Sequence, residues 1–327
     1  MKKKLFTLGL ASLATFTMSL NLFAEEIQIK HADILEADKE QIIIKGNILI
    51  NFKDAVIEAP EGFITTNEKG EQETAQFTGR SKIKLKDRYI EADKITVKFN
   101  EKTIYAEGKT LSELRDKKNE PIKIECDYQE LSWEGENARA RGNIRTKYQE
   151  TSIKADNGNI IYKNKKPDEA IFSSNKNSAK LEQPSNITTA NEFIFNISTH
   201  NVLAHGNVMS TVWPNTGKER DTQDPIFLVS ENLYIDNETG KVTAKSDKKK
   251  VKLSYTDTNG ESLEAYLIRD KNNGKPEKII FNGNANVIQH DKELISEEVV
   301  FNFNDKKLIS ASNTNTRPKT IIYKKTN

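Results

Sequence analysis

Cysteine and histidine are scarce in this sequence, and their scarcity excludes several kinds of site. The 327 residues include one cysteine, Cys126, which excludes an intramolecular disulfide and any zinc cluster built from several thiolates. The four histidines, His31, His200, His205 and His290, are too scattered to suggest a histidine metal site. We therefore predict no metal and no cofactor.

An excess of charge of either sign is also absent. Fifty Lys and Arg residues against 48 Asp and Glu residues leave a formal net charge of +2. Domains that bind nucleic acid usually carry a strong basic excess, so this balance argues against a nucleic-acid partner. After residue 24 there is no run of about 18 or more apolar residues, the length that a membrane-spanning helix needs.

The residues that are abundant are typical of β-structure. Ile 34, Leu 21, Val 11 and Phe 14 together make 80 of 327 residues, which is about 24%, whereas chains below about 20% tend to remain disordered. Isoleucine outnumbers leucine and valine, and asparagine and lysine fill the gaps between them. The composition therefore predicts strands and turns around a thin core.

The first 24 residues have the layout of a secretory signal peptide. Three lysines, Lys2 to Lys4, precede an apolar stretch from Leu5 to Leu20, and Ala24 stands before an acidic pair. A basic start, an apolar centre and a small final residue are the features of a cleavable export signal. The alternative is an uncleaved anchor in the inner membrane, although Ser, Thr and Asn residues dilute the apolar stretch. No cysteine lies near the predicted cleavage point, which excludes a lipoprotein anchor.

A small residue followed by a polar or bulky one recurs nine times after the signal, at spacings of 27 to 40 residues. The pairs are Ala32-Asp33, Ala59-Pro60, Ala92-Asp93, Cys126-Asp127, Ala155-Asp156, Ala190-Asn191, Ser230-Glu231, Ala265-Tyr266 and Ser296-Glu297. A glycine follows six of them, namely Gly46, Gly79, Gly108, Gly142, Gly206 and Gly283. Gly108, Gly142 and Gly206 lie 15 residues after the second member of their pairs. The same count in the three units without a glycine reaches Ile171, Ser246 and Ser312.

Between these landmarks the apolar residues alternate with polar ones. Ile95, Val97 and Phe99 show the pattern, which is that of a strand with one buried face. Turn sequences such as Asn100-Glu101-Lys102 follow, and a returning strand leads into the glycine. Each unit is thus predicted to be a hairpin, and stacked hairpins bury a continuous apolar face.

These patterns predict an all-β fold, an elongated open antiparallel structure of about nine degenerate hairpin repeats. Residues 25–313 form the repeat domain, either as one stack or as two fused stacks. Residues 314–327 form a C-terminal tail or an edge strand, since Ile321-Ile322-Tyr323 is a short β-prone run. An open stack leaves unpaired strand edges at its two ends, which predicts edge-to-edge pairing with another protein, either through Val299 to Phe303 or through Ile321-Ile322.

The units around Ala92-Asp93 and Gly108, and around Ala190-Asn191 and Gly206-Asn207, resemble the OstA-like repeat. That family comprises LptA-like lipopolysaccharide-transport proteins of the Gram-negative periplasm, the membrane-anchored LptC and the N-terminal region of LptD. The resemblance covers about residues 30–313 and implies a V-shaped β-jellyroll whose apolar interior carries acyl chains. It implies lipopolysaccharide or lipid A as cargo, and related transport proteins or further copies of the chain as partners.

Two departures limit the resemblance. The chain is longer than the bridge proteins of the family, and nothing after Asn304 is long enough for the outer-membrane barrel of LptD. The LptA-like periplasmic bridge is therefore the best match within the family. An LptC-like anchored scaffold, a β-helical glycan-active enzyme and an adhesin are the alternatives, and the even spread of charges argues against the enzyme.

The candidate lipid-contacting residues are the aromatic side chains on the predicted inner face. They are Phe52, Phe99, Trp133, Phe193, Phe195, Phe301 and Phe303. The alternative for each is that it fills a closed core. Arg139, Arg141 and Arg145 are candidate head-group contacts at the mouth of the trough, as is the run Lys248 to Lys250, with a solvated strand edge as the alternative.

The acidic residues of the repeat are predicted to be structural. Asp33, Asp93, Asp127 and Asp156 could be imagined as a calcium ladder, but the later units replace them with Asn191, Glu231 and Tyr266. Asp and Asn at a bend bind nearby backbone N–H groups, which explains the series without a metal. Cys126 occupies the small-residue position and is predicted to be core. We therefore predict a non-enzymatic protein.

Overall fold

The computed structural model describes residues 27–38, 40–175, 177–214, 224–270, 275–311 and 317–322. The predicted signal peptide lies outside these residues. The described part of the chain forms 24 strands and no helix, so the predicted all-β class is confirmed. It accordingly contains no helix of the length and apolarity needed to cross a membrane.

The chain divides into two compact units. Unit 1 contains residues 1–149 and 157–168, and unit 2 contains residues 150–156 and 169–327. Strands β10 and β11 contribute residues to both units. Each unit is described by itself below.

The strands of unit 1 are β1 (Ile27–His31), β2 (Ile34–Ala37), β3 (Gln41–Phe52), β4 (Ala55–Thr66), β5 (Gln72–Leu85), β6 (Arg88–Lys98), β7 (Thr103–Arg115), β8 (Pro121–Ser132) and β9 (Asn137–Tyr148). The divided strands are β10 (Thr151–Lys163) and β11 (Lys166–Ser173). From β3 to β9 each strand pairs antiparallel with the next, as expected for chained hairpins.

Unit 2 contains many short strands. Its strands are β12 (Ala179–Gln183), β13 (Asn186–Ala190), β14 (Glu192–Asn196), β15 (Val202–Val212), β16 (Ile226–Ile235), β17 (Val242–Lys245), β18 (Val251–Tyr255), β19 (Thr258–Ser262), β20 (Glu264–Arg269), β21 (Pro276–Gln289), β22 (Lys292–Asn302), β23 (Lys307–Ala311) and β24 (Lys319–Ile322). Successive short strands such as β13 and β14 both pair with the same long strand, here β15.

A β-bulge bends the long strands of unit 1 near their middle, at a place we call the corner. Between β7 and β8 the register skips Gly108 and Lys109 on one strand but only Asp127 on the other. Two residues thus oppose one, which bends the ladder without ending it. The small–polar pairs and the glycines of the sequence repeat are the two sides of this corner.

Glycine is required at the corner because the backbone there is left-handed. Gly108 and Lys109 have φ of 74° and 42°, and Gly142 and Asn143 have 75° and 50°. A Cβ atom on Gly108 would lie 2.8 Å from Oδ2 of Asp93. Backbone conformation and space therefore both select glycine at this position.

In several pairs the polar residue binds the facing corner, in part through side-chain amides rather than the backbone N–H groups that the sequence predicted. Asn47 donates to Asp33 at 3.0 Å and Asn143 donates to Asp127 at 2.7 Å in unit 1. In unit 2 the backbone N–H of Asn175 donates to Asp156 at 3.1 Å. These carboxylates hold the bend, which confirms their predicted structural role.

Where the repeat lacks its glycine, the strand is broken at the corner. Residues 174–178 separate β11 from β12, and residues 246–250 separate β17 from β18. The Ser246 hydroxyl there accepts the backbone N–H of Glu231 at 2.9 Å, and the Glu231 carboxylate accepts the N–H of Asp247 at 2.9 Å. Side chains thus replace the continuous ladder as hydrogen-bond partners.

The eighth corner lies three residues before the predicted pair Ala265-Tyr266. Leu263 separates β19 from β20, and its N–H donates to the Gly283 carbonyl at 3.0 Å. Ser262 beside it is fully buried, whereas Ala265 belongs to β20 and pairs with Phe281. Ser262-Leu263 is therefore the actual pair, and the prediction of Ala265-Tyr266 is wrong because it treats Leu263 as the apolar residue two positions before the pair.

The corner divides the sheet of each unit into two walls. The first wall of unit 1 contains β1 and residues 48–59, 81–92, 110–126 and 144–148, and the second contains β2 and residues 41–45, 61–78, 94–107, 128–141 and 157–168. In unit 2 the first wall contains β12, β13, β18, β19 and β24 together with residues 208–212, 226–230, 285–289 and 292–296. The second wall contains β14, β17, β20 and β23 together with residues 202–205, 232–235, 278–282 and 298–302. Alternate residues of both walls are buried, which forms the apolar interior.

Candidate functional site

The interior of each unit ends at the mouth, where the tips of the two walls lie opposite the corner. In unit 1 an aromatic cluster spans the mouth. Phe52 at the tip of the first wall contacts Phe99 and Trp133 of the second wall, with ring centroids 5.0 and 5.1 Å apart and edge-to-face geometry. The structure therefore brings three of the predicted residues together, and their rings close the mouth at this level.

An arginine also ties the two wall tips of unit 1 together. Arg88 begins β6 on the first wall, and its Nη1 and Nη2 donate to the carbonyls of Ser132 and Trp133 on the second, at 2.7 and 2.9 Å. Its Nε donates to Asp87 at 3.2 Å. The Arg88 side chain is only 12% exposed, so these bonds lie largely out of water.

Two ion pairs continue the tie along the mouth of unit 1. Lys166 donates to Asp87 at 3.1 Å, and Lys117 donates to Asp168 at 2.6 Å. Lys166 and Arg88 lower the pKa of Asp87 against the opposing effect of its burial, which is the largest single cause. Each described contact across this mouth involves at least one side chain. Among them, backbone groups take part only as the two carbonyls that accept hydrogen bonds from Arg88.

The mouth of unit 2 has a similar arrangement with the walls exchanged. Arg269 of the second wall donates to the carbonyls of Trp213 and Pro214 of the first, both at 3.1 Å. Burial lowers the pKa of Arg269. Tyr255 of the first wall contacts Phe303 of the second, with centroids 5.0 Å apart. Both tryptophans of the chain thus lie at a mouth beside an arginine.

Deeper inside unit 2 the walls touch directly. A Cβ atom on Gly260 of the first wall would lie 2.2 Å from the ring of Phe281, which comes from the second wall. The ring thus lies against the opposite backbone. At this level the interior is filled by the protein's own side chains.

Most of the predicted lipid-contacting residues are buried in these interiors. Phe52, Trp133, Phe193, Phe195 and Phe301 are at most 6% exposed, while Phe99 and Phe303 are half-buried. Their burial agrees with both readings of the sequence, a core filled by side chains and an interior that opens for cargo. Contact of these residues with lipid stays a prediction.

The sequence pattern missed several equally buried aromatic residues. Phe77, Phe172 and Phe281 are at most 2% exposed, and Tyr255 lies at the mouth of unit 2. The first three belong to β5, β11 and β21, which are returning strands of their hairpins. Alternation counted forward from the small–polar pair covers only the outgoing strand. Alternation counted backward from the glycine identifies Phe77 before Gly79 and Phe281 before Gly283, but not Phe172, whose unit lacks the glycine.

The three predicted head-group arginines lie on the outer face of β9. Arg139, Arg141 and Arg145 are exposed, and they alternate with the buried residues Ala138, Ala140 and Ile144. Arg141 lies over the ring of Tyr128 at 6.0 Å, on the same outer face. They are thus directed away from the interior and its mouth, and head-group contact stays a prediction for them.

The remaining sequence candidates have structural partners. Cys126 is buried, its pKa is raised by burial, and it lies 3.1 Å from the Thr110 hydroxyl, so its predicted place in the core is confirmed. Lys248 donates its backbone N–H to Glu231 at 3.3 Å within the broken corner. Within the described ranges, no cluster of His, Cys, Asp and Glu could hold a metal ion.

Comparison with known proteins gives little. No family model and no curated protein matches the chain. Among solved structures, LptH of Pseudomonas aeruginosa, the LptA-homologous periplasmic component of its lipopolysaccharide transport device, matches at 11% identity. The match covers 63% of this chain and 96% of LptH, with a TM-score of 0.19. A score this low carries no argument about fold or function, so neither rests on it below.

Proposed function

We propose that the chain is a non-enzymatic carrier that shelters the acyl chains of lipopolysaccharide, or of its lipid A part, between the walls of its units. One observation supports this proposal above the others. In each unit backbone ladders join the walls at the corner, whereas the described contacts at the mouth are made by side chains. The walls can therefore separate at the mouth without losing a backbone ladder, and separation exposes an apolar interior.

The energies of opening and of cargo binding are comparable. Burial of one CH₂ group contributes about 0.8 kcal/mol, so an acyl chain with about ten sheltered CH₂ groups supplies roughly 8 kcal/mol. Opening unit 1 separates two aromatic pairs, each worth roughly 0.5–1.5 kcal/mol. It also breaks the two charged hydrogen bonds of Arg88, each worth roughly 1.5–3 kcal/mol. Cargo with two or more such chains therefore supplies enough energy to open the mouth.

The use of the acidic residues supports a non-enzymatic role. Asp33, Asp127, Asp156 and Glu231 all accept hydrogen bonds that hold corners. Paired carboxylates for acid–base chemistry would instead have to face a substrate within hydrogen-bonding reach. These corner carboxylates already have a structural purpose, so they are not available for such chemistry.

The location we propose is the periplasm, with export directed by the first 24 residues. Intact-mass measurement on protein from the cell envelope tests this, and we expect a mature chain that begins at Glu25. A chain that still begins near Met1 would favour the anchored, LptC-like alternative.

Partners of the same fold would join at the sheet edges. Among the described strands, β1 and β2 pair only with β3, while β23 and β24 pair only with β22. The segment Val299 to Phe303, which the sequence placed at the edge, lies in β22 as far as Asn302 and is paired there with β23. We propose that the free edges pair with related transport proteins or with another copy of the chain.

A proline on the outer side of β23 tests the edge. Phe303 donates its N–H to Glu277 of β21, and the alternation of antiparallel bonds then directs the N–H of Ser310 away from β22. Ser310→Pro should keep the fold and abolish concentration-dependent association in analytical ultracentrifugation, because it removes a free donor. Association equal to that of the parent would contradict pairing at this edge.

Bound lipid tests the carrier function itself. Protein purified from the envelope without detergent should release glycolipid on organic extraction, in amounts that mass spectrometry detects at a defined ratio to protein. A glycan-active enzyme or an adhesin would release none. Absence of lipid from protein that is folded, and that also fails to take up added lipid, would overturn the proposal.

A further inference from the structure

Three turns of unit 1 bring a cluster of polar side chains together at its mouth. Asp87 and Arg88 come from the turn before β6, Trp133 from the end of β8, and Tyr162 and Lys166 from the ends of β10 and β11. Arg88 holds the Trp133 carbonyl at 2.9 Å, and Lys166 holds Asp87 at 3.1 Å. We call these five residues the Arg88 cluster.

The cluster has more hydrogen-bond donors and more positive charge than its own residues can match. The single carboxylate of Asp87 is shared by two cations, Arg88 and Lys166. Two acceptors of the Arg88 guanidinium are neutral carbonyls. A guanidinium forms stronger, bidentate bonds with an anion than with neutral oxygen.

Two further donors in the cluster are buried and unused. The Trp133 indole N–H and the Tyr162 hydroxyl have no hydrogen-bond partner among the described residues, although both atoms are shielded from water. Tyr162 lies one residue before the end of β10, at the turn that leads to Lys166, and burial raises its pKa. Buried polar atoms without a partner are rare in folded proteins and call for an explanation.

We infer that the Arg88 cluster binds the anionic phosphate group of the amphipathic lipid whose chains unit 1 shelters. This inference rests on the proposed function. On binding, the guanidinium exchanges the carbonyls of Ser132 and Trp133 for two phosphate oxygens, and the donors of Trp133 and Tyr162 turn to the same group. The bonds that are lost are those that tie the wall tips together, so head-group capture and opening of the mouth are one event.

Two soluble lipids with identical chains test the inference on the full mature chain. Dioctanoyl phosphatidic acid carries a phosphate monoester, and dioctanoylglycerol lacks it. By isothermal titration below the micelle concentration we expect the phosphate lipid to bind about tenfold more tightly or better, since charged hydrogen bonds are gained. Inorganic phosphate alone should bind far more weakly than the phosphate lipid.

Substitutions assign the preference to the cluster. Arg88→Met keeps the apolar stem and should make the two lipids bind equally. Tyr162→Phe removes only an unpaired hydroxyl, so the fold should be kept while part of the phosphate preference is lost. Lys94→Met is the control, because it also removes one positive charge of unit 1 but lies beside the corner, where Lys94 is 37% exposed and pairs with Glu107 at 3.1 Å, and it should bind both lipids as the parent does.

The outcomes separate this inference from the proposed function. Equal binding of the two lipids by the parent, or an unchanged preference in a folded Tyr162→Phe and Arg88→Met, overturns the phosphate site and leaves the carrier function standing. Binding of inorganic phosphate as tight as that of the phosphate lipid assigns the cluster to free phosphate and overturns the lipid assignment. Binding of neither lipid overturns both proposals.

Discussion

Unit 1 and unit 2 bend the same kind of sheet by different means. In unit 1 every strand from β3 to β9 runs through the corner, and four corners carry a glycine with positive φ, at Gly46, Gly79, Gly108 and Gly142. Among the described residues of unit 2, only β15, β16, β21 and β22 run through the corner within the unit, and only Gly206 and Gly283 have this role. The other crossings of unit 2 are breaks between short strands.

The difference shows what the glycine contributes. A strand can bend sharply and remain paired when two successive residues adopt left-handed backbone, and glycine makes the first of them accessible. Without glycine the chain leaves the ladder for about five residues, and hydroxyl and carboxylate side chains bind the freed N–H groups. Both units bend their sheet at the corner, but different groups bind the backbone N–H groups there.

The largest effect should follow from removing a unit 1 glycine. Gly108→Val places a β-branched residue at φ of 74° with its Cβ against Asp93, and we expect a loss of at least about 2 kcal/mol in the free energy of unfolding. Lys109→Gly, at the next position, should be nearly neutral. Urea unfolding of both variants checks this, and equal losses would contradict a special role for the glycine.

Introducing a glycine at a corner of unit 2 should lower the free energy of unfolding rather than raise it. Ser246→Gly supplies the residue that unit 1 uses, but it removes the hydroxyl that accepts the N–H of Glu231 at 2.9 Å. Ser246 is 2% exposed, so an unpaired N–H should cost about 1–2 kcal/mol. A stabilised Ser246→Gly in urea unfolding would mean that the two kinds of corner are interchangeable.

A smaller effect concerns the stability of the Glu231 corner of unit 2 in acid. The N–H of Asp247, followed by that of Lys248, lowers the pKa of Glu231 below its ordinary value of 4.5. Stability from this carboxylate is therefore complete above pH 4.5 and is lost as the pH falls through the lowered pKa. Glu231→Gln keeps an acceptor oxygen without titrating, so its urea midpoint should fall less steeply with acid than that of the parent. Parallel pH profiles would contradict this contribution.

The smallest effect concerns the outer faces. Unit 2 exposes Met209, Phe227 and Val229 on the outer side of β15 and β16, whereas β9 of unit 1 exposes arginines. Phe227 is 53% exposed, so Phe227→Ser should change the free energy of unfolding by no more than about 0.5 kcal/mol. A clear loss of stability in urea unfolding would show that this side is covered.

The sequence predicted the features of the fold that depend on residues close together in the chain. Alternation around Ile95 and Val97 predicted strands, and the Asp–Gly landmarks predicted bends, because side-chain period and left-handed backbone act within a few residues. It did not predict the contact of Phe52 with Trp133 or the bonds of Arg88, since these join residues far apart in the chain. It misplaced the edge at Val299 to Phe303 because pairing with β23 depends on the returning chain.

The central claim is that the buried aromatic face, and not the outer face, meets lipid. It is tested most directly by photo-crosslinking from two phenylalanine positions of unit 2. Phe193 is fully buried in the interior, and Phe227 is 53% exposed on the outside. With p-benzoylphenylalanine at each position, irradiation in living cells should attach glycolipid at position 193 and not at 227. Equal labelling at both positions, or labelling at 227 alone, would contradict the account.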